Sequence, residues 1–270
     1  MSVPGSPSFP SGHAPTGFAA ATALAHTRAP AASHVSSESH GTTAAVIPCH
    51  REPPSHELLD ALRGHVTKVV IVDDGMAAEA ASRLDEVATA RPDIEVIRFP
   101  TNRGKGHALA AGIDRAAAMA DAVLTFDADG QHLAAAVPSF LAAEGDLVIG
   151  NRTGRDAMPW VRRLANSVSN RLLSRATRAP MPDGQCGMRL LRERALAIEF
   201  PGGRYEAETR HLKACVQANL KVTWVPIPTV YGSERSAFRP IRDSVRVLVE
   251  IFPWSIPVVE KRSKRSQPVP

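Results

Sequence analysis

From Thr43 onward, short runs of aliphatic and β-branched residues alternate with longer stretches of helix-forming residues. Thr43–Pro48, Lys68–Val72, Ile94–Ile97, Val123–Phe126 and Leu147–Ile149 have the length and composition of strands. Between them, Ser55–Arg63, Ala77–Ala90 and Lys105–Met119 carry helix formers. Strand and helix in strict alternation predict an α/β fold, a mostly parallel sheet with helices on both faces. Such sheets bind ligands beyond the carboxyl ends of their strands. The residues just after each run are therefore the ones to read. His50, Arg51 and Glu52 follow the first, Asp73 and Asp74 the second, and Asp127-Ala128-Asp129-Gly130-Gln131-His132 the fourth.

Residues 1–40 break this pattern. They are rich in Pro, Ser, Ala and His without sustained periodicity, which predicts a disordered leader. The whole chain of 270 residues is 44% hydrophobic and 22% charged, the balance of a globular protein with a substantial core. A formal net charge of +5 favours an anionic partner without choosing which. Only 5% of residues are aromatic and no nucleic-acid motif is present, so nucleic acid is not expected as a partner. Cys49, Cys186 and Cys215 are odd in number and lack CxxC spacing, which argues against a disulfide framework or zinc site and for a reducing, cytoplasmic setting. No apolar run approaches the roughly 20 residues of a spanning helix.

The strongest chemical signal is Asp127-Ala128-Asp129. Two carboxylates straight after a strand offer hard oxygen donors of the kind that suit Mg²⁺ or Mn²⁺. A metal there could bind diphosphate oxygens and neutralise a departing nucleoside diphosphate. Asp and Gly also make ordinary turns, so the pair alone decides little.

More motifs accompany it: VIPCHRE, IVDDG, NRGKGHALAAGI, FDADGQH, VIGNR, DGQCGMR, YEAE and VPIPTVYGSERS, in that order between about Thr43 and Asp243. Together they resemble glycosyltransferase family 2, and within it the dolichyl- and polyprenyl-phosphate mannose or glucose synthases. The resemblance implies a GT-A, Rossmann-like fold over residues 41–238 and a divalent metal, Mg²⁺ or Mn²⁺. It also implies inverting transfer of a hexose from GDP-mannose or UDP-glucose to a lipid phosphate. It places Pro48, His50, Glu52, Val72 and Asp74 around the nucleoside, with Asp127, Ala128 and Asp129 at the nucleotide sugar. Asp127, Asp129 and Gln131 fall at the metal, Arg152 faces phosphate, and Arg235 lies on a loop covering donor and acceptor. Asp127, Asp129 and Arg235 are the expected catalytic residues. The pattern departs from the family at Pro48-Cys49-His50-Arg51-Glu52, usually Pro-x-Tyr-Asn-Glu, and at Met76, usually Ser. Both changes bear on base preference more than on the carboxylates.

A lipid phosphate with a second pKa near 6 is largely a dianion at neutral pH and needs no general base. It needs cations to set it beside a second anion. Because an arginine fork grips phosphate bidentately, Arg162, Arg163, Arg189 and Arg235 are the candidates, with Arg189 and Arg235 preferred. Glu206 and Glu208 would orient those arginines or the acceptor, or cap a helix. Arg103-Gly104-Lys105-Gly106-His107 lacks phosphate-loop spacing, so its glycines are expected to allow close packing, with direct phosphate contact by Lys105 the lesser option.

Two outlying segments complete the reading. Pro10-Ser11-Gly12-His13 is similar to the PSGH motif of type-2 phosphatidic acid phosphatases, but the companion motifs are missing, so it reads as a remnant of a fused or adjacent phosphatase gene or as chance in a Pro/Ser-rich leader. Residues 239–270 combine apolar positions at helical spacing over Ile241–Phe252 with Trp254 and the basic Lys261, Arg262, Lys264 and Arg265. That suits a peripheral helix on a cytoplasmic membrane surface, or a helix packed on the domain with a loose tail. The expected partners are a nucleotide sugar, a lipid phosphate, a membrane surface and a membrane-anchoring protein. The rival readings are a transferase for a glycan or glycolipid acceptor and a non-catalytic protein that binds nucleotide sugar.

Overall fold

The computed structural model describes residues 41–128, 134–153, 160–177 and 179–228, with backbone alone for 160–166 and 176. The leader and the 239–270 segment lie outside the described residues.

The elements run β1 (Thr43–Cys49), α1 (His56–Arg63), β2 (Lys68–Asp74), α2 (Ala78–Thr89), β3 (Ile94–Phe99), α3 (Lys105–Ala116) and β4 (Ala122–Thr125). After a 3₁₀ turn at Ala134–Ala136 come α4 (Val137–Ala142), β5 (Leu147–Thr153), α5 (Trp160–Thr177), β6 (Arg189–Leu191), α6 (Glu193–Leu196), α7 (Glu206–Gln217) and β7 (Val222–Pro228). The strands form one sheet in the order β3-β2-β1-β4-β6-β5-β7. All neighbours are parallel except β6, which runs antiparallel to both β4 and β5. This is the mostly parallel sheet that the alternation predicts.

Successive residues of a strand point to opposite faces. Thr43 to Ile47 are all buried, as are Val69 to Asp74, so both faces of the central sheet are covered. The helices supply the cover through one face each. Leu58, Leu59 and Leu62 turn inward from α1, whose amino end is capped by the Ser55 hydroxyl accepting from the Leu58 amide at 3.3 Å. Ala108, Leu109, Ile113 and Ala116 do the same from α3, which packs on β1 and β2.

The strands run further than their apolar runs. Asp73 and Asp74 belong to β2 and pair with Arg98 and Phe99 of β3. Carboxylates are tolerated there because each has its own donors. Asp73 accepts from the Met76 amide at 2.7 Å and Arg98 Nε at 2.8 Å. β6, α7 and β7, in the second half, carry no pattern comparable to that of the first half.

β1 adjoins β2 on one side and β4 on the other, so the chain leaves β1 in one direction and returns in the other. The carboxyl ends of β1 and β4 flank that switch point, the crevice in which sheets of this kind place ligands. Among the described residues no helix is long and apolar enough to cross a membrane.

Behind the sheet, His211 of α7 is fully buried, with Nε2 3.3 Å from the Ala195 carbonyl and its ring 4.9 Å from that of Phe200. Burial first, and then the charge of Arg189, lower its pKa from 6.5 to about 4. The unfolded chain therefore takes up a proton on this residue between about pH 6.5 and pH 4, while the folded chain does not. Folding stability should fall across that window as pH drops, by up to about 3 kcal/mol from this residue. Urea midpoints measured from pH 7 to pH 4 should show this slope, and His211→Gln should flatten it. An unchanged slope in the variant would assign the acid sensitivity elsewhere.

Candidate active site

The crevice is built outward from the end of β2. Asp74 is 3% exposed, and its carboxylate accepts from the backbone amides of Arg103 at 2.6 Å and Gly104 at 2.9 Å. It thereby fixes the turn that launches α3. Gly104 holds φ at +106°, a conformation that residues with a β-carbon rarely adopt. Gly106 lies against α7, where an added β-carbon would sit 2.5 Å from that of Ala207. The expectation that these glycines serve close packing agrees with this arrangement.

Lys105, the first residue of α3, is thus aimed across the crevice. Its ammonium lies 2.7 Å from Asp127 Oδ1 and 3.2 Å from both carboxylate oxygens of Glu208 on α7. The three side chains are 19%, 23% and 6% exposed. Burial opposes the charge on Lys105, but Asp127 and then Glu208 outweigh it and raise its pKa, so the lysine stays charged. The Asp127 carboxylate also rests over the backbone of Gly187, where any β-carbon would fall 2.3 Å from Oδ2. Ala128, half buried beside it, packs on the core.

Two carboxylates converging on one cationic atom form a hard-oxygen, cation-seeking set, which fits Mg²⁺ or Mn²⁺. Among the described residues no group of three or more His, Cys, Asp or Glu gathers to hold an ion. Asp129 and Gln131, the other expected ligands, lie outside the described residues, as does Arg235. Arg162 and Arg163 fall on α5, in the stretch where backbone alone is described.

The remaining expectations divide. Pro48 is half buried and His50 exposed at the end of β1, with His50 Nδ1 donating to the Asp74 carbonyl at 2.9 Å. Glu52 is exposed and paired with Arg83 of α2. Val72 is fully buried, so its side chain belongs to the core rather than to a ligand. Asp74 positions a turn with both its oxygens.

Arg152 and Arg189 call for correction. Arg152 is 7% exposed and held by Asp183 through Nε at 2.7 Å and Nη2 at 2.8 Å, a buried bidentate pair. Arg189 has no exposed surface. It donates from Nε to the Cys186 carbonyl, from Nη1 to Glu208 and from Nη2 to Gly184, at 2.7–2.9 Å. These guanidinium groups fasten the 183–189 loop to β5 and α7 instead of facing phosphate. Their geometry suits phosphate, but equally suits any set of oxygens, and sequence carries no mark of which.

Glu208, expected to orient an arginine or the acceptor or to cap a helix, lies in the first turn of α7 and pairs with a lysine 103 residues away. Glu206, the first residue of α7, accepts from the Arg204 amide at 3.1 Å, while its buried Oε2 has no partner among the described residues. Cys49, Cys186 and Cys215 are all buried free thiols. Cys49 is raised in pKa by burial and then by Asp73 and Asp127, and so remains a neutral thiol.

The model of the family described as glycosyl transferase family 2 matches residues 44–198, more than half of the chain. The chain belongs to that family. It is 32% identical over 165 residues to an undecaprenyl-phosphate 4-deoxy-4-formamido-L-arabinose transferase of Proteus mirabilis, covering 59% of this chain and 44% of that one. The corresponding Edwardsiella ictaluri protein is 29% identical, over 74% of this chain and 59% of its own length. The chain thus spans about half the length of these relatives. Among solved structures it is similar in fold to glucosyl-3-phosphoglycerate synthase of Mycobacterium tuberculosis, at 20% identity. The complex of that protein with Mn²⁺, UDP and phosphoglyceric acid gives a TM-score of 0.63 over 79% of this chain and 78% of that one. A complex of it with Mg²⁺ and UDP gives 0.60.

The burial of Arg189 yields a decisive comparison. Arg189→Met strands three buried carbonyls, each costing about 1–3 kcal/mol, so the variant should lose several kcal/mol of folding stability. Thermal melting checks this. An unchanged melting temperature would restore Arg189 to the role of a ligand-facing cation.

Proposed function

We propose that the chain is an inverting, divalent-cation-dependent transferase that moves a hexose from GDP-mannose or UDP-glucose to a polyprenyl or dolichyl phosphate. The observation that carries the chemistry is Asp127, held at the crevice between β1 and β4 in a cation-seeking set with Glu208. The names of the undecaprenyl-phosphate transferases to which the chain is similar support the choice of acceptor.

Asp127, with Asp129 and Gln131 of the same motif, would hold Mg²⁺ or Mn²⁺, which supplies neutralisation of the charge on the departing diphosphate. Pro48, His50 and Glu52 border the nucleoside end of the crevice. Arg162, Arg163 and Arg235 bring the acceptor phosphate to the sugar and offset its charge, so that two anions can approach. The acceptor attacks as a dianion, and no side chain has to remove a proton. Arg152 and Arg189 are left out of this set because their guanidinium groups are already committed. The domain 41–238 carries the reaction, the 1–40 leader is dispensable for it, and 239–270 docks peripherally on a cytoplasmic membrane surface or on an anchoring partner.

Purified protein, Mn²⁺ or Mg²⁺ and a short polyprenyl phosphate, screened with GDP-mannose and UDP-glucose, test this reading through lipid-linked product. One donor should yield product, EDTA should abolish it, and Asp129→Ala should lower turnover by about 100-fold or more at an unchanged melting temperature. Product that persists in EDTA would overturn the metal-assisted mechanism. Product formed only on an acceptor without a lipid phosphate would overturn the acceptor assignment.

A further inference from the structure

Lys105 occupies an unusual electrostatic position. As the first residue of α3 it sits at the positive end of a helix dipole, where a cation is disfavoured. What holds it there is Asp127 and Glu208, at 2.7 and 3.2 Å. Without other ligands, the two carboxylates and one ammonium leave this cluster one negative charge. A divalent cation arriving alone has to compete with an ammonium already in contact with Asp127. A diphosphate arriving alone meets two carboxylates. When metal and diphosphate arrive together, the phosphate oxygens give the ammonium a new anion to face, and Asp127 is released to the metal.

Resting on the metal-and-nucleotide reading above, we propose that Lys105 is the resident counter-ion of the donor site and couples the binding of divalent cation to that of nucleoside diphosphate. The ammonium stands in for the metal while the site is empty and turns to the diphosphate when both ligands bind. The site therefore resists metal alone and nucleotide alone and accepts the pair. Asp74 is part of the device, because its bonds to the Arg103 and Gly104 amides set the turn from which Lys105 reaches.

Calorimetric titration of Mn²⁺ into the full chain, with and without saturating UDP or GDP, tests the coupling. In the wild type the nucleotide should tighten Mn²⁺ binding by about 10-fold or more, within the usual range of coupling between sites. In Lys105→Met, Mn²⁺ alone should bind about 10-fold more tightly than to the wild type, and the enhancement by nucleotide should shrink by a similar factor. Lys105→Arg, which keeps the charge, should retain the wild-type coupling. A lysine that merely supports the fold could not produce tighter metal binding when removed. If removing Lys105 leaves the carboxylates too repulsive for folding, Mn²⁺ alone should raise the melting temperature of the variant far more than that of the wild type. Unchanged or weaker Mn²⁺ binding in a folded Lys105→Met, or equal melting shifts in the two proteins, would overturn the proposal while leaving the transferase reading standing. A wild type that binds Mn²⁺ no better with either nucleotide would overturn both.

Discussion

One largely buried ammonium bridges carboxylates that come from opposite halves of the chain, and the geometry of the crevice depends on it. Asp127 ends the β-α series of the first half, and Glu208 lies on a helix of the second. Lys105 reaches both. Removing one member of such a buried set leaves an uncompensated charge, which costs about 3–5 kcal/mol, whereas the intact set contributes little net stability. Its value lies in specifying one arrangement: the turn before α3, the end of β4 and the amino end of α7 must meet at the same point. Close backbone approach at Gly106 and Gly187 makes that meeting sterically possible.

Around this centre the structure sorts its charged groups into two kinds. Arg152 with Asp183 and Arg189 with three carbonyls are satisfied internally, and Arg98 is committed to Asp73. Lys105 and Asp127 remain partly open while Glu208 is buried, and on the proposed reading they exchange partners with a charged ligand. A nucleoside diphosphate with a divalent cation is a ligand of that character, and belonging to glycosyl transferase family 2 agrees with it.

Much of the first half was legible in the sequence. The five strands of the alternating series and the helices between them follow from periodicity, because both faces of a covered parallel sheet demand continuous apolar runs. The position of Asp127 beyond its strand follows from the same logic. The second half was less legible. β6 is three residues long and antiparallel, too short to carry a period of its own. Residue type alone could not separate arginines that grip phosphate from arginines that grip carbonyls, and so Arg152 and Arg189 were misplaced. The partnership of Lys105 with Glu208 spans 103 residues and leaves no local trace, although a lysine launched from a glycine turn at a strand's carboxyl end was a usable hint.

The account's central claim is that Lys105 and Asp127 act as one electrostatic unit across the crevice. A double-mutant cycle of Lys105→Met and Asp127→Asn, read by urea denaturation without metal or nucleotide, measures that unit directly. The account predicts that the two changes are far from additive, with a coupling of about 1–3 kcal/mol, because Asp127→Asn removes much of the charge that Lys105→Met leaves unpaired. Additivity within about 0.5 kcal/mol would mean that the two residues do not sense each other in the folded protein, and would contradict the account.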